Sequence, residues 1–331
     1  RTIAGVVNPS FLAIDPARRH LFAVNETETH NGQPGGGVSA FALDAAAGNL
    51  TPRNTRPTHG TFPAHLTVDP TGAYVLVANY GSGNVAVYPL DEGGGLGAMR
   101  DLVQNRGSGP NKDRQAGPHA HMITFDPSGR YALLVDLGID KTLVYRLDPA
   151  TGTLNAHTIT TDSGATEQSC GQAAPGAGPR HIAFHPTNRY AYVINELGST
   201  IDAFAWDATR GTLAHFQTIS LRPPDFTGTS SGAEIVVHPS GRFLYGSVRG
   251  YNGIAIFVID PTSGELTARG HEPTGGKNPR SFTLDPTGTF LLVANQDSDN
   301  VVTFRLDQTS GALSATGNIA QVPTPVCLLF D

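Results

Sequence analysis

A short hairpin motif that occurs six times is the feature of this sequence that most constrains its fold. Each copy contains an Asp-Pro or His-Pro pair, which follows a short apolar run and precedes a turn and an alternating apolar strand. The Pro-Ser-Gly and Pro-Thr-Gly turns supply one residue with a fixed φ and one that tolerates positive φ. The copies are 54, 57, 59, 53 and 47 residues apart and begin at Asp15, Asp69, Asp126, His185, His238 and Asp285. This regular spacing indicates one supersecondary unit per copy.

Each hairpin is followed by a third strand, such as NVAVYPLD, and by a glycine-containing turn into a fourth, such as GTLAHFQTI. Four antiparallel strands in about fifty residues is the period of a β-propeller blade. We therefore predict an all-β, seven-bladed β-propeller with four antiparallel strands per blade. Because propellers often exceed the average domain length, we expect residues 1–331 to form a single domain.

The two ends of the sequence are expected to share the seventh, closing blade. The terminal segment PTPVCLLF resembles the first strand of a further unit. Only RTIAGVV precedes the first complete unit, which is enough for one outer strand. We therefore expect the closing blade to be incomplete on the amino-terminal side of this numbering.

Composition and charge argue against several classes of function. The net charge is −6 and there is no basic run, which argues against a nucleic-acid partner. No apolar run is long enough to span a membrane, and the first residues lack the features of a signal peptide. The two cysteines do not form the pattern of a disulfide framework. We expect a cytoplasmic protein with a small-molecule substrate, and the sequence leaves the oligomeric state open.

Two repeat positions change their chemistry from blade to blade, which is typical of a channel lining and not of a core. In a propeller the first strand of each blade lines the central channel, so equivalent positions converge on one axis. Six residues before the motif's proline stand Ser10, Ala64, His121, Arg180, Ala233 and Arg280. The following position adds His65, Met122, His181, Glu234 and Ser281. Eleven residues after the first residue of the motif stand Glu26, Tyr80, Leu137, Glu196, Arg249 and Gln296.

Convergence of these positions would bring an acid, a base and several cations to one channel mouth. The residues that carry this hypothesis are His121, Arg180, Glu196, Glu234 and Arg249. Such clusters shift pKa values and support acid–base chemistry. The alternative is that the same side chains are ion pairs that plug the end of the channel.

The residue just before the second variable position is a short amide or carboxylate in five of the six units: Asn25, Asn79, Asp136, Asn195 and Asn295. We expect these side chains to cap the turn after the second strand. A ring of oxygen ligands for calcium is the alternative. The sequence contains no HExxH motif and no Cys/His spacing typical of zinc.

The sequence resembles the seven-bladed propeller lactonases, a family that includes the propeller-type 6-phosphogluconolactonases and the 3-carboxy-cis,cis-muconate lactonizing enzyme. The resemblance rests on RQAGPHAHMITFDPSGRY, VDLGIDK, GAGPRHIAFHPTNRYAYVINELGSTI, AEIVVHPSGRFLYGSVRG, GGKNPRSF, LLVANQDSDNV and PVCLLF. One departure is GSVRG, where the family more often has Ser-Asn-Arg, so that Val248 replaces the capping residue and should weaken that cap.

The resemblance implies a catalytic group of His121, Arg180 and Glu196, with no metal and no cofactor. We expect the substrate to be bound by His65, His119, His181, Glu234, Arg249, Arg280 and Gln296. Arg180 would stabilise an oxyanion, and either His121 or Glu196 would activate water. Arginine forks suit a substrate phosphate or carboxylate.

The preferred hypothesis is hydrolysis of a sugar-acid lactone, most closely that of a 6-phosphogluconolactonase. A muconate cyclase would use the same groups, because its substrate is also anionic. A non-enzymatic binding propeller is the third hypothesis, although such a module would not require His, Arg and Glu to converge.

Overall fold

A computed structural model describes residues 2–161 and 164–330 of the chain. These residues form two compact units, the first ending at Cys170 and the second running from Gly171 to Phe330. In the described residues each unit contains three larger antiparallel sheets, and the first unit also contains two two-stranded sheets. The all-β propeller fold expected from the sequence is therefore present. The prediction of a single domain stays a prediction.

The strands of the first unit are short and succeed one another through tight turns. They are β1 (Pro9–Ile14), β2 (His20–Asn25), β3 (Thr29–His30), β4 (Gln33–Pro34), β5 (Gly37–Asp44), β6 (Asn49–Pro57), β7 (Pro63–Val68), β8 (Tyr74–Asn79), β9 (Asn84–Pro89), β10 (Asp101–Gln104), β11 (Ala120–Phe125), β12 (Ala132–Asp136), β13 (Lys141–Leu147), β14 (Leu154–Ala156), β15 (Thr158–Thr160) and β16 (Thr166–Gln168). Sheet 1 has the order β1-β2-β5-β6, sheet 2 is β7 to β10, and sheet 3 is β11 to β14. Strand β17 (Cys170–Gln172) follows.

The second unit repeats the same plan. Its strands are β18 (Pro179–Phe184), β19 (Tyr190–Asn195), β20 (Thr200–Asp207), β21 (Thr212–Ser220), β22 (Ser231–Val237), β23 (Phe243–Arg249), β24 (Gly253–Ile259), β25 (Leu266–Pro273), β26 (Pro279–Leu284), β27 (Phe290–Asn295), β28 (Asn300–Leu306) and β29 (Leu313–Gln321). Sheets 4, 5 and 6 each take four of these in sequence. Two 3₁₀ turns, Leu137–Ile139 and Gln296–Ser298, follow the second strands of sheets 3 and 6.

Within each unit, the first strand of one sheet packs against the first strand of the next. Strand β7 lies between β1 and β11, and β22 lies between β18 and β26. The second strands are buried along both faces, as in β8 and β19, because an apolar core fills the space between successive sheets. This explains why the sequences YVLVAN and YAYVIN are nearly continuous apolar runs.

The first residue of each hairpin motif holds its own turn. In sheet 3 the Asp126 carboxylate accepts hydrogen bonds from the backbone N–H groups of Ser128, Arg130 and Tyr131 and from the Ser128 hydroxyl. These bonds satisfy donors that the turn would otherwise bury without a partner. An acidic residue is thus suited to this position because it only accepts.

Histidine fills the same position in sheets 4 and 5 and reaches the neighbouring sheet. The Nδ1 atom of His185 accepts from the backbone N–H of Thr187, so its Nε2–H donates to the Gly241 carbonyl in the next hairpin, 2.9 Å away. His238 makes the equivalent bond to Gly288 at 3.0 Å. These two histidines therefore join consecutive sheets within the second unit.

The predicted turn cap is present at Asp136, whose side chain accepts from the Gly138 backbone N–H. It is absent at Asn295, whose side-chain amide donates instead to the Thr274 carbonyl. The Asn79 side-chain amide donates to the Thr58 carbonyl of the segment entering its sheet and to Asn84 across the turn. Asp136 is fully buried and accepts from three donors. Val248, at this position in sheet 5, instead lies in the apolar core between sheets 4 and 5.

The predicted seventh blade is only partly supported. In the described part of the chain, six sheets have four strands in succession. Neither the amino-terminal segment RTIAGVV nor the terminal PTPVCLLF contains a strand in its described residues, so the expectation of strands there is wrong for those residues. Their backbone hydrogen-bonding groups do not form a ladder with a neighbouring strand.

The contact between His185 and Gly241 gives a stability prediction. Gly241 has φ +70°, and a Cβ added to it would lie 2.5 Å from His185 Nε2. Gly48 has φ +62° and an added Cβ would meet no atom within 4 Å. The left-handed backbone alone should cost each alanine variant about 1–2 kcal/mol of the free energy of unfolding. Gly241→Ala should lose roughly 1–3 kcal/mol more, because the ring must move.

Urea unfolding of the two variants measures this difference directly. Equal losses in Gly241→Ala and Gly48→Ala would contradict the close packing of the two hairpins.

Candidate active site

The first strand of every sheet is interrupted by a β-bulge at the position that the sequence analysis places in the channel. In sheet 4, Pro179 pairs with Asn195 and His181 pairs with Ile194, so that the register skips Arg180. A bulge leaves one residue outside the ladder and re-aims its side chain. The same shift in register recurs around Ser10, Ala64, His121, Ala233 and Arg280. Each of these first strands therefore presents a side chain whose direction the regular alternation does not dictate, and in sheet 5 the register skips both Ala233 and Glu234.

In the second unit, Glu196 lies between two guanidinium groups. Its Oε2 atom is 3.4 Å from Arg180 Nε and 3.0 Å from Arg249 Nη2. Glu196 follows the last residue of β19, and Arg249 is the last residue of β23, so one repeat position on two sheets supplies both groups. One buried carboxylate is therefore shared by two guanidinium groups.

Arg180 is almost completely buried, with 3% of its surface exposed. Its Nη1 atom donates to the Ala233 carbonyl at 2.7 Å. Burial, together with the charges of Arg249 and Arg280, lowers the pKa of Arg180 to about 9. The guanidinium therefore remains positively charged at neutral pH, and it is held in an environment with little water.

His181 and Glu234 form a second contact on the other side of Arg180. The Nδ1 atom of His181 lies 2.8 Å from Glu234 Oε1, and its Nε2 atom lies 3.3 Å from Arg180 Nη1. Burial lowers the pKa of His181, the charges of Arg180 and Arg280 act in the same direction, and the Glu234 charge opposes them. His181 is 2% exposed.

Arg280 and Gln296 are half-buried in sheet 6. Arg280 stands in the bulge of β26 and acts electrostatically on both Arg180 and His181. Gln296 follows β27, and its side-chain oxygen accepts from Asn278 Nδ2 at 3.4 Å. Both side chains are more accessible than Arg180.

In the first unit, Tyr80 organises a cluster of histidines. His119 stacks on the Tyr80 ring with centroids 4.6 Å apart, and His121 approaches it edge-on at 5.5 Å. The Nδ1–H of His119 donates to the Tyr80 carbonyl at 2.9 Å, since a carbonyl can only accept. The Tyr80 hydroxyl accepts from Arg114 Nη2 at 3.0 Å.

His65 occupies a different contact in the first unit. It is buried, and its ring packs against that of Phe11 with centroids 4.0 Å apart and the ring planes tilted by 34°. Phe11 follows the bulge of β1 just as His65 follows that of β7, so these two side chains are equivalent in the repeat.

The structure brings five of the predicted residues together in the second unit and places His119 and His121 against Tyr80 in the first. The second unit joins Arg180, His181, Glu196, Glu234 and Arg249 in one network of charges and hydrogen bonds. Sequence analysis missed Tyr80 as a site residue, although it shares the repeat position of Glu196. It also missed Arg114, because a long loop offers no repeat register.

Across residues 2–161 and 164–330 there is no group of three or more His, Cys, Asp or Glu side chains arranged to hold a metal ion. The buried amides and Asp136 bond instead to protein groups, as described above.

The Glu196 network gives a second prediction. Replacing one partner of a buried ion pair leaves the others uncompensated, so Glu196→Gln should lower the free energy of unfolding by roughly 3 kcal/mol. A double-mutant cycle with Arg249→Met should show a coupling of about 1–3 kcal/mol, because the two side chains are in contact. The exposed Glu265→Gln is the control and should change stability by less than about 0.5 kcal/mol. Additive losses in the cycle would rule out the pairing.

Comparison with known proteins places this geometry in a family. A family model described as "Lactonase, 7-bladed beta-propeller" matches residues 1–330. A 6-phosphogluconolactonase of Bacillus subtilis (strain 168) is 38% identical over 275 residues, which are 83% of this chain and 73% of that protein. A 6-phosphogluconolactonase of Formosa agariphila is 34% identical over 283 residues, covering 85% of this chain and 76% of that protein.

A solved structure has the same fold. The periplasmic gluconolactonase of Pseudomonas aeruginosa superposes with a TM-score of 0.88 at 32% identity, over 98% of this chain and 88% of that one. With a family model spanning nearly the whole sequence and close relatives in three bacteria, this chain belongs to the seven-bladed β-propeller lactonase family.

Proposed function

We propose that this protein is a lactone hydrolase that opens a sugar-acid lactone, with 6-phosphogluconolactone as its substrate. The observation that carries the proposal is Arg180, a buried cation held by Glu196, His181 and the Ala233 carbonyl. Hydrolysis of an ester passes through a tetrahedral oxyanion, and a pre-oriented donor in a water-poor site stabilises it strongly. The names of the two 6-phosphogluconolactonase relatives support the same reaction.

Arg180 is the proposed oxyanion donor. Its Nη1 atom already bonds to the Ala233 carbonyl and faces His181, while its Nε atom faces Glu196. Nη2 is therefore the nitrogen that we assign to the lactone carbonyl oxygen. The negative charge that develops on this oxygen would be stabilised by the Arg180 guanidinium group, which is already oriented.

His121 is the proposed general base. Glu196 contacts both Arg180 and Arg249, and we propose that it holds these two side chains. An imidazole takes up and returns a proton near neutral pH. In the proposed step, the general base removes a proton from water as the water oxygen attacks the lactone carbonyl carbon. It then gives that proton to the ring oxygen as the C–O bond breaks, and the open sugar acid leaves.

Arg280, with Arg249 beside Glu196, is proposed to bind the anionic group of the substrate. Arg280 is half-buried, so its guanidinium can reach a ligand at lower desolvation cost than Arg180. His65 and His119 in the first unit and Gln296 in the second unit stay predicted ligands of sugar hydroxyl groups. His119 suits this role because its Nδ1–H is committed to Tyr80 and its Nε2 can accept.

No observation favours the muconate cyclase over the hydrolase, since the three relatives described above are named as lactonases. We place the protein in the cytoplasm, because a sugar phosphate crosses a bilayer poorly and should be hydrolysed where it is made. No helix in the described residues is long and apolar enough to cross a membrane. The Pseudomonas aeruginosa relative is described as periplasmic.

The proposal predicts acid release from 6-phosphoglucono-δ-lactone well above spontaneous hydrolysis, followed with a pH indicator in a panel with unphosphorylated sugar lactones. Arg180→Ala should lower kcat by about 10²-fold or more, in line with the loss of an oxyanion donor. Arg269→Ala is the control, since Arg269 is exposed on the outermost strand of sheet 5. Turnover no faster than the spontaneous reaction would exclude the activity, and full activity in Arg180→Ala would exclude its role.

The role of Arg280 is tested by comparing two substrates. A hydrogen bond to a charged group contributes about 1.5–3 kcal/mol, so Arg280→Gln should raise KM for the phosphorylated lactone roughly tenfold or more. KM for glucono-δ-lactone should change little, because that substrate has no phosphate. An equal rise for both substrates would show that Arg280 does not recognise the phosphate.

A further inference from the structure

Glu234, His181 and Arg180 form a continuous hydrogen-bonded chain within the second unit. Glu234 Oε1 lies 2.8 Å from His181 Nδ1, and His181 Nε2 lies 3.3 Å from Arg180 Nη1. The three residues come from neighbouring first strands, β18 and β22. The arrangement resembles the way in which a carboxylate orients a histidine in many enzymes, except that this histidine faces a guanidinium.

The chemistry of the donors fixes the proton on the His181 ring. A guanidinium has only N–H donors, so Arg180 Nη1 donates and His181 Nε2 must accept. The proton of the neutral ring is therefore on Nδ1, where it is donated to the Glu234 carboxylate. If His181 Nε2 were also protonated, its N–H would face the N–H of Arg180 Nη1, and the imidazolium would lie against the guanidinium.

The surroundings keep His181 in this neutral form. Burial, the adjacent Arg180 and the more distant Arg280 all lower its pKa, whereas Glu234 raises it. Glu234 is itself fixed, since its backbone N–H donates to the Ser247 hydroxyl and its Oε1 accepts from the backbone N–H of Ile235. The acceptor presented to Arg180 is thus rigid.

We infer that His181 and Glu234 are positioning residues for Arg180, and not substrate ligands as the sequence suggested. Three groups surround two nitrogens of Arg180: the Glu196 carboxylate lies 3.4 Å from Nε, while the Ala233 carbonyl and His181 both accept from Nη1. Without the His181 acceptor, rotation of the Arg180 guanidinium group is less restricted, so that Nη2 no longer points in one fixed direction. This inference rests on the proposed role of Arg180 as oxyanion donor.

Three variants separate positioning from binding. His181→Leu removes the acceptor for Nη1 and should lower kcat by about 10²-fold with little change in KM, because a misplaced group costs rate and not ground-state affinity. His181→Gln supplies a side-chain oxygen near the place of Nε2 and should recover most of that loss. Glu234→Gln removes the charge that orients the His181 ring, and its kcat should lie between those of His181→Leu and His181→Gln.

Matched controls come from exposed positions of the same unit, one on the outer strand β21 and one just before the outer strand β25. His215 and Glu265 are exposed, and His215→Gln and Glu265→Gln should keep wild-type kcat and KM. A rise in KM without loss of kcat in His181→Leu would assign His181 to substrate binding and overturn the inference. Equal kcat values for His181→Leu and His181→Gln would also overturn it, because the acceptor would then be irrelevant.

A measurement on the ligand-free wild-type protein tests the geometry independently of activity. Long-range ¹H–¹⁵N NMR of the histidine rings should show His181 at pH 7 with Nδ1 protonated and Nε2 unprotonated, assigned by the signals that vanish in His181→Gln. A protonated Nε2 would overturn the inference even if the enzyme hydrolyses lactones. Absence of lactone hydrolysis with the expected tautomer would instead refute the proposed function and leave the Glu234–His181–Arg180 chain in place.

Discussion

The Arg180 guanidinium group is buried in the second unit, and the contacts around it are explained by the need to stabilise its charge. An isolated buried charge is very unfavourable, so Arg180 has to be paired and hydrogen-bonded at the same time. Its partners come from sheets 4 and 5: a carboxylate, a histidine ring and a backbone carbonyl. Because Glu196 also pairs with Arg249, the charges are shared over a network. Stability and the direction of the guanidinium thus depend on the same contacts.

The β-bulge makes such a network compatible with a regular repeat. In an uninterrupted strand the alternation would decide which side chains face the neighbouring sheet and which face away. The bulge in each first strand releases one residue from that rule, and the same break occurs whether the residue is Ala64, His121 or Arg180. The backbone therefore offers one position per sheet at which chemistry can change without disturbing the ladder.

The repeat could be predicted because its signals are local. Asp126 and His185 begin hairpins whose turns require specific residues, and the apolar runs of β8 and β19 reflect burial on both faces. The structural role of Asn79 could be predicted because an amide or carboxylate recurs at this position in five of the six units. Strands at the chain ends were predicted wrongly for the described residues, since apolar character there is not accompanied by ladder hydrogen bonds.

The sequence by itself determined the strand period, the hairpins and the repeat positions at which unlike residues occur, because each depends on neighbours along the chain. Only the tertiary structure decided what those residues do for one another. His181 and Glu234 are separated by 53 positions, and their pairing depends on two first strands packing side by side. The proton on the His181 ring is likewise set by Arg180 and Glu234 together, and no residue type or spacing specifies it. The distances between side chains on different sheets are set by how the sheets pack, and the pattern of residues along the chain does not specify that packing.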